Sequence, residues 1–237
     1  MKNQRRSSRE QAPVYRIGWF IGRAIVFFVA GSVIWVLLYR FVPPPITLTM
    51  LGDIVGGRSV TKEWMPLSRI DVTMARAAIA AEDAKFCIHD GFDREAIEAA
   101  MARNARGGRI RGGSTISQQT AKNAFLWQGG GYVRKGLEAW FTVRIENSWG
   151  KRRIMEVYLN IAETGIATYG VNAGAQRYFG PDASQLSVTE AARIAAILPL
   201  PKKREATGPR GYTRRYGNAV AKRSGVVRRD ALDGCLR

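Results

Sequence analysis

Two adjacent carboxylates near the only histidine are the first side chains in this sequence suited to acid–base chemistry. Glu82 and Asp83 follow an alanine-rich helical pattern, and His89 comes shortly after them. A carboxylate at the end of an apolar helix can be partly desolvated, which raises its pKa and makes it a better general base. The same pattern also fits two acids that cover a solvated helix end, with His89 as a hydrogen-bonded structural residue.

A second cluster combines glycines with hydroxyl and amide side chains at a predicted helix start. It reads Gly-Gly-Ser-Thr-Ile-Ser-Gln-Gln-Thr-Ala-Lys-Asn over residues 112–123. Free backbone N–H groups and the positive end of a helix dipole would favour a phosphate or diphosphate there. Lys122 follows Thr115 by two helical turns and shares its face. An ordinary capped helix with exposed polar residues is the alternative interpretation.

A third cluster places a carboxylate among cations, in Arg134, Lys135 and Glu138. Arg134 and Glu138 are i,i+4 neighbours, which on a helix surface would form a salt bridge worth roughly 0.3–0.5 kcal/mol. The functional interpretation is a second carboxylate beside cations that bind an anionic leaving group. A fourth segment, over residues 153–170, is interpreted as packing with buried polar links.

Helical patterns must position these side chains. Asp71 predicts the N-cap of a helix over 72–81, and Asp93 predicts that of a helix reaching 106. Thr115 with Gln118, and Ser187 with Glu190, each fit a capping box. Apolar spacing predicts further helices over 132–149 and 154–161, and the helix that starts after Ser187 should stop at Pro199. Clean alternating strands are not evident, so the predicted domain is mainly α.

The N-terminal segment predicts a membrane anchor. Residues 24–39 carry no charge, and the stretch 17–39 is interrupted only by Arg23; about 20 apolar residues span a bilayer. Basic residues precede this stretch and few follow it, which places the N-terminus in the cytoplasm. The expected organisation is a cytoplasmic basic tail at 1–16, an anchor at 17–40, a juxtamembrane spacer at 41–64 and a domain at 65–237. A cleaved signal peptide is the alternative, although its apolar region would be shorter.

Composition limits the possible functions and partners. The chain of 237 residues has 37 Lys+Arg against 19 Asp+Glu, a formal net charge of +18, which suits anionic lipid or an anionic substrate held at a membrane. A basic C-terminal stretch at 202–237 is interpreted as a solvated helix near anionic lipid, rather than as a nucleic-acid site. A single histidine excludes every two-His metal site. The glycine-rich nucleotide-binding motifs are absent from the sequence.

In this order, the clusters resemble the motifs of glycosyltransferase family 51. The matching stretches read EDAKFCIHDG at 82–91, GGSTISQQTAKN at 112–123, RKGLE at 134–138 and RIMEVYLN at 153–160. A fifth stretch begins at Glu190 and ends with LPLP at 198–201. Each motif is weak alone, but the set in one order is specific. The resemblance covers residues 65–220 and includes the membrane anchor.

The resemblance implies a lysozyme-like α fold that is preceded by a single N-terminal transmembrane helix. The folded domain would lie outside the bacterial cytoplasmic (inner) membrane. The implied reaction polymerises lipid II into β1,4-linked glycan strands by inversion and releases undecaprenyl diphosphate. Glu82 would be the general base, and Glu138 would assist departure of the diphosphate. The implied substrate-binding residues are Asp83, Phe86, His89, Gly113, Ser114, Thr115, Gln118, Gln119, Lys122, Arg134 and Lys135. No cofactor is required, although Mg²⁺ or Mn²⁺ could assist at the diphosphate, and other cell-wall synthesis or division proteins are potential partners.

Several points stay open in the sequence. Family members often carry a basic residue in the loop before Arg134, whereas Gln128-Gly129-Gly130-Gly131 has none, so either Arg109 or Arg111 compensates or diphosphate binding is weaker. Cys87 and Cys235 could pair in an oxidising compartment, or Cys87 could be a buried packing residue. The alternatives to polymerisation are a degradative lysozyme-like muramidase and a catalytically silent, membrane-tethered basic binding protein.

Overall fold

The computed structural model describes the backbone of residues 4–105 and 113–237, and the side chains of residues 16–102 and 113–237. Arg109, Arg111 and most of the predicted basic tail therefore lie outside the described side chains. The chain divides between Phe41 and Val42 into two units. The first is one helix, α1 (Gln4–Phe41), whose segment Arg16–Phe41 is long and apolar enough to cross a membrane. Its length and composition are compatible with the predicted anchor.

The second unit is mainly α, as predicted. Its helices are α2 (Leu48–Val55), α3 (Val72–Glu82), α4 (Arg94–Ala105), α5 (Ile116–Phe125), α6 (Gly131–Ile161), α7 (Val171–Phe179), α8 (Val188–Ile197) and α9 (Gly211–Arg229). Three short strands, β1 (Thr61–Lys62), β2 (Glu163–Gly165) and β3 (Thr168–Tyr169), form a sheet of order β1-β3-β2. Strands of two or three residues are too short to show an alternating pattern, so periodicity could not predict them.

The N-caps predicted at Asp71, Asp93, Thr115 and Ser187 are confirmed by side-chain hydrogen bonds. The Asp71 carboxylate accepts a hydrogen bond from the Thr73 N–H at 2.8 Å, and Asp93 accepts one from the Ala96 N–H at 3.0 Å. Both predicted capping boxes form, at the first turns of α5 and α8. These caps fix where α3 and α5 begin, and so where the residues on them point.

The two helices predicted over 132–149 and 154–161 join into the single element α6. Gly150 interrupts its helical geometry with a φ of 70° and a ψ of 158°. Glycine adopts this left-handed φ without the steric cost that a side chain would bring. The break lets α6 change direction between the turn that carries Glu138 and the turn that carries Asn160.

Close packing around α3 holds the end of that helix. Helix α3 packs against α8 and α9, while α5 packs against α6. The side chains of Ala77, Ala78 and Ile79 are fully buried, and the small alanine side chains let neighbouring helices approach closely. Glu82, the last residue of α3, therefore projects from a rigid support.

The fourth cluster has the structural role that the sequence predicted for it. The Asn160 side chain accepts a hydrogen bond from the Met65 N–H at 2.7 Å and donates one to the Met65 carbonyl at 2.8 Å. Glu156 accepts one from the Leu67 N–H at 3.2 Å and pairs with Arg153 at 2.8 Å. These links attach the segment before α3 to the second half of α6.

Candidate active site

Glu82 has one carboxylate oxygen held by the protein and one left without a partner. Its Oε2 accepts a hydrogen bond from Gln119 Nε2 at 2.8 Å. Its Oε1 is out of contact with solvent and has no hydrogen-bond partner among the described residues. Burial raises the pKa of Glu82, and nearby Asp83 raises it further, while Gln119, Arg204 and Lys122 lower it. The interpretation of Glu82 as part of a solvated helix end is therefore wrong.

Asp83 links the loop after α3 to the start of α5. Its carboxylate accepts a hydrogen bond from the Ile116 N–H at 2.9 Å and faces His89 Nε2 at 2.9 Å. His89 Nδ1 accepts from the Gly91 N–H, which leaves Nε2 as the protonated nitrogen that donates to Asp83. Phe86 is fully buried beside them. Asp83, Phe86 and His89 thus support Glu82 from within the scaffold, and their predicted contact with substrate stays a prediction.

Residues 113–119, at the start of α5, include side chains that are buried in the scaffold and side chains that contact charged residues. Thr115 and Gln118 are buried, because they form the reciprocal capping box and Thr115 also donates to the Gly91 carbonyl at 2.7 Å. Gly113 and Ser114 precede the cap, and the Ser114 hydroxyl accepts a hydrogen bond from Lys135 at 3.3 Å. Ser114 thus contacts the charged groups described next, whereas Gln119 contacts Glu82.

A buried carboxylate between two cations forms the second half of the site. The Glu138 side chain is 3% exposed, pairs with Arg134 at 2.5 Å and also accepts a hydrogen bond from Lys135. The interpretation of Arg134 and Glu138 as a surface salt bridge is therefore wrong. Since Glu138 is desolvated, its charge requires these partners, and the partners are in turn fixed in place by it.

Lys122 belongs to the same charged cluster as Glu82 and Glu138. Burial lowers the pKa of its ammonium group, and the cations Arg134 and Lys135 lower it further. Glu138 and Glu82 both act in the opposite direction. Lys122 thus responds electrostatically to both acids, which makes it a candidate for binding an anionic group.

The uncharged glycine loop before α6 binds Arg134 through its backbone. Gly129, Gly130 and Gly131 all have positive φ values, of 84°, 86° and 56°. The Gly129 carbonyl accepts a hydrogen bond from Arg134 Nε. A Cβ at Gly130 would lie 2.8 Å from Trp127 Nε1, so this position excludes a larger residue. Within the described part of the chain, the loop helps to orient one of the cations beside Glu138.

A polar cavity of about 170 Å³ opens on one side of Gln119 and Lys122. Tyr158, Glu163 and Tyr169 also line it. Gln119 is shared between this cavity and Glu82, because its amide holds the Glu82 carboxylate. The cavity therefore offers a small polar group a place close to the candidate base.

The comparison with protein families decides the identity of the fold. The family model described as Transglycosylase matches residues 49–225, which is most of the chain. The chain belongs to the transglycosylase family. This match confirms the lysozyme-like fold class expected for the mainly α domain. The matched range contains Glu82, Lys122 and Glu138, so the whole candidate site lies within the family's domain.

Individual relatives of this transglycosylase carry one shared name. A protein of Caulobacter vibrioides is 54% identical over 208 residues, covering 88% of this chain and 91% of its own length. A Pseudomonas putida protein is 49% identical, covering 88% of each chain, and a Xanthomonas campestris protein is 48% identical, covering 83% of this chain and 82% of its own. All three are named biosynthetic peptidoglycan transglycosylase.

Sequence reasoning missed the electrostatic links of two residues to Glu82 in this transglycosylase. Arg204 lowers the pKa of Glu82, while the Glu82 carboxylate in turn raises the pKa of the buried Tyr158. The Tyr158 hydroxyl has no hydrogen-bond partner in the described ranges, and burial is the main cause that raises its pKa. Both residues stand inside or next to the fourth and fifth motifs, whose spacing was the only available signal.

Tyr158→Phe is expected to raise the stability of this transglycosylase by about 1 kcal/mol, because a buried hydroxyl without a partner costs about 1–3 kcal/mol. Thermal denaturation measures the change. The matched control is Tyr178→Phe, which removes a hydroxyl that donates to the Thr164 carbonyl at 3.0 Å and should lower stability. Equal losses in both variants would show that Tyr158 has a partner.

Proposed function

We propose that this transglycosylase polymerises lipid II, with Glu82 as the base that activates the acceptor. The chain is a peptidoglycan glycosyltransferase, in keeping with its family and with the name its relatives share. The observation that carries the mechanism is the contrast between the two acids. Glu82 has a free oxygen and a raised pKa, whereas Glu138 is neutralised by two cations.

Glu82 suits the acceptor side of the reaction. A sugar hydroxyl is a poor nucleophile and needs a positioned base to take its proton. Gln119 holds Oε2 of Glu82, and the unpartnered Oε1 would accept the proton of the acceptor 4-hydroxyl once the buried carboxylate turns toward the substrate. A raised pKa brings Glu82 closer to the pKa that is most effective for a base near neutral pH.

The cations suit the leaving-group side. A departing diphosphate develops negative charge, which preorganised donors stabilise most where water is excluded. We propose that Lys122, Arg134 and Lys135 bind the diphosphate, with Ser114 donating a hydrogen bond once Lys135 turns to the substrate. Glu138 keeps Arg134 and Lys135 in place before the substrate arrives.

A single displacement is sufficient for the proposed reaction. An α-linked diphosphate that becomes a β1,4 bond has inverted at the reacting carbon. The acceptor oxygen forms the new bond as the bond to the diphosphate oxygen breaks, and the proton passes to Glu82. An inverting enzyme needs a base on one face of the reacting sugar ring and stabilisation of the leaving group on the other. The different partners of Glu82 and Glu138 fit these two roles.

The anchor and the charge fit a lipid-linked substrate. We propose a single-pass location in the bacterial cytoplasmic membrane, with the N-terminus in the cytoplasm and residues 42–237 outside. A substrate held in the membrane by its lipid would be reached by a domain tethered to the same surface. Contacts with other cell-wall synthesis or division proteins belong to the same proposal.

Metal assistance would depend mainly on the substrate. Within residues 16–102 and 113–237, no group of three His, Cys, Asp or Glu side chains lies together as a metal site. An Mg²⁺ or Mn²⁺ ion at the diphosphate would therefore be held chiefly by diphosphate oxygens. The positive charge that the chain itself supplies comes from its lysine and arginine side chains.

Lys122→Met tests the leaving-group assignment. This substitution keeps the length and apolar stem of the side chain but removes the charge, and we expect kcat/KM for lipid II polymerisation to fall about 10²-fold, because charge-assisted contacts to a developing anion are lost. Steady-state kinetics in detergent measure it. The control Lys203→Met changes an exposed lysine and should leave the rate unchanged. Equal rates for Lys122→Met and the parent would contradict the assignment.

A further inference from the structure

The C-terminal segment contacts the rest of the domain at three points near Glu82. We call residues 211–237 the C-terminal clasp. The Tyr216 hydroxyl donates a hydrogen bond to the Ala81 carbonyl at 2.8 Å, directly before Glu82. A disulfide joins Cys235 to Cys87, in the loop that follows Glu82. The clasp therefore holds the chain on both sides of the candidate base.

A buried ion pair supplies the third point. Arg76 Nε, on the same helix as Glu82, donates to Asp233 Oδ2 at 2.8 Å. The Asp233 side chain is only 2% exposed, so this pair is shielded from water and from salt. Leu236 is also buried, and its carbonyl accepts a hydrogen bond from Arg152 on α6. These contacts connect the end of the clasp to the helices that carry Glu82 and Glu138.

The outer part of the clasp lies beyond the domain that the family shares. The family model ends at residue 225, whereas Asp233 and Cys235 lie after it. Neither residue has a part in the proposed proton transfer or in diphosphate binding. Their position around Glu82 therefore requires a separate explanation.

We propose that Cys235 and Asp233 are positioning residues, which hold Glu82 in its catalytic orientation and make the enzyme sensitive to reduction of the disulfide. The inference rests on the proposed function, because Glu82 is its target. A displacement of about 1 Å at a reacting group can cost on the order of 10²-fold in rate. A dithiol such as dithiothreitol supplies the two electrons and two protons that convert the disulfide into two thiols, and becomes a cyclic disulfide itself.

The test compares Cys235→Ser with the oxidised parent in lipid II polymerisation by the full-length chain, well below both melting temperatures. We expect kcat to fall about tenfold, with KM little changed, since substrate binding depends on other residues. The acid limb of the pH–rate profile should move to lower pH, because a loosened Glu82 gains water and its raised pKa relaxes toward the ordinary value. The groups that face Glu82 and bear on this limb are Asp83, Lys122, Tyr158, Arg204 and Tyr216.

Two controls separate positioning from other effects. Arg229→Ala alters an exposed pair with Asp230 in the same segment and should leave kcat unchanged. Dithiothreitol should lower the rate of the parent to that of Cys235→Ser, and should not affect the Cys87→Ser/Cys235→Ser variant. Asp233→Asn is the second probe of the clasp and should reproduce the loss in kcat without touching the disulfide.

Hydrogen exchange provides a readout that does not depend on activity. Amides of residues 83–91 should exchange faster in Cys235→Ser than in the parent, if the clasp restrains the loop after Glu82. The proposal is overturned if kcat, the pH profile and this exchange all match those of the parent while only the melting temperature falls. A parent that makes no polymer would contradict the proposed function, and the exchange rates would still decide whether the clasp restrains the loop.

Discussion

Glu82→Gln is expected to lower the rate of lipid II polymerisation by about 10³-fold or more, while the protein stays at least as stable as the parent. The amide has nearly the same shape and can still accept the hydrogen bond from Gln119. It cannot take a proton from the acceptor hydroxyl, and loss of general-base catalysis alone removes about 10²–10⁴ in rate. Loss of the electrostatic role of the carboxylate adds to this effect.

The stability of Glu82→Gln relative to the parent depends on pH in a defined direction. Burial raises the pKa of Glu82 above its ordinary value of 4.5, so the folded protein binds this proton more tightly than the unfolded chain does. The stabilisation from this tighter proton binding is fully present below the pKa of Glu82 in the unfolded chain. It is lost as the pH rises through the pKa of Glu82 in the folded protein. Wherever the carboxylate is ionised, the parent therefore bears the cost of a buried charge that the neutral amide would not carry. The variant should therefore match or exceed the parent in denaturant midpoint at high pH, and this advantage should shrink as the pH falls through the folded-state pKa of Glu82.

Rates and denaturant midpoints of the two proteins, measured in the same detergent, check this prediction. Glu190→Gln is the matched control, because it makes the same change at a capping-box position where glutamine also serves. It should leave both rate and stability near the parent values. A Glu82→Gln protein that retains a tenth of the activity would show that another group acts as base.

Glu138→Gln is expected to lower both activity and stability. Its carboxylate is buried and neutralises Arg134 and Lys135, so the amide leaves two cations facing each other. We expect a loss of about 2 kcal/mol in unfolding free energy, less than for a fully buried pair because Lys135 is about half-exposed. The rate should fall by about 10²–10³-fold, since the donors to the diphosphate lose their fixed orientation.

A comparison within the same helix separates the two effects of Glu138→Gln. Glu156→Gln also breaks a partly buried i,i+3 pair on α6, with Arg153, but lies in the structural links to residues 65–67. It should lose stability and keep the polymerisation rate at temperatures where it is folded. If both variants lost activity in proportion to stability, Glu138 would have no special part in the reaction.

Local signals in the sequence were sufficient for the starts of α3, α4, α5 and α8. Asp71, Thr115 and Ser187 each cap a helix where their residue types predicted it, because capping depends only on neighbours in the chain. The long helix was predicted as two, since the apolar spacing on either side of Gly150 does not record whether the pieces join. The short strands have no pattern long enough to be read.

The burial and the partners of Glu82 and Glu138 depend on tertiary packing, which the composition of the chain does not determine. Nothing local distinguishes the buried Arg134–Glu138 pair from a surface salt bridge, because the difference comes from the packing of α5 on α6. The same holds for Cys87 and Cys235, whose pairing spans 148 residues. The resemblance to the family supplied the grouping of Glu82, Lys122 and Glu138, and the structure added their burial and partners.

The most direct test of the proposed reaction is polymerisation of labelled lipid II by the purified full-length chain in detergent. The product is resolved by length and then treated with a muramidase that cleaves β1,4 bonds. We predict long glycan strands that the muramidase degrades, and no strands from Glu82→Gln. Cleavage of preformed glycan strands by the chain, or no polymer from folded protein under conditions where a control polymerase is active, would contradict the proposed reaction.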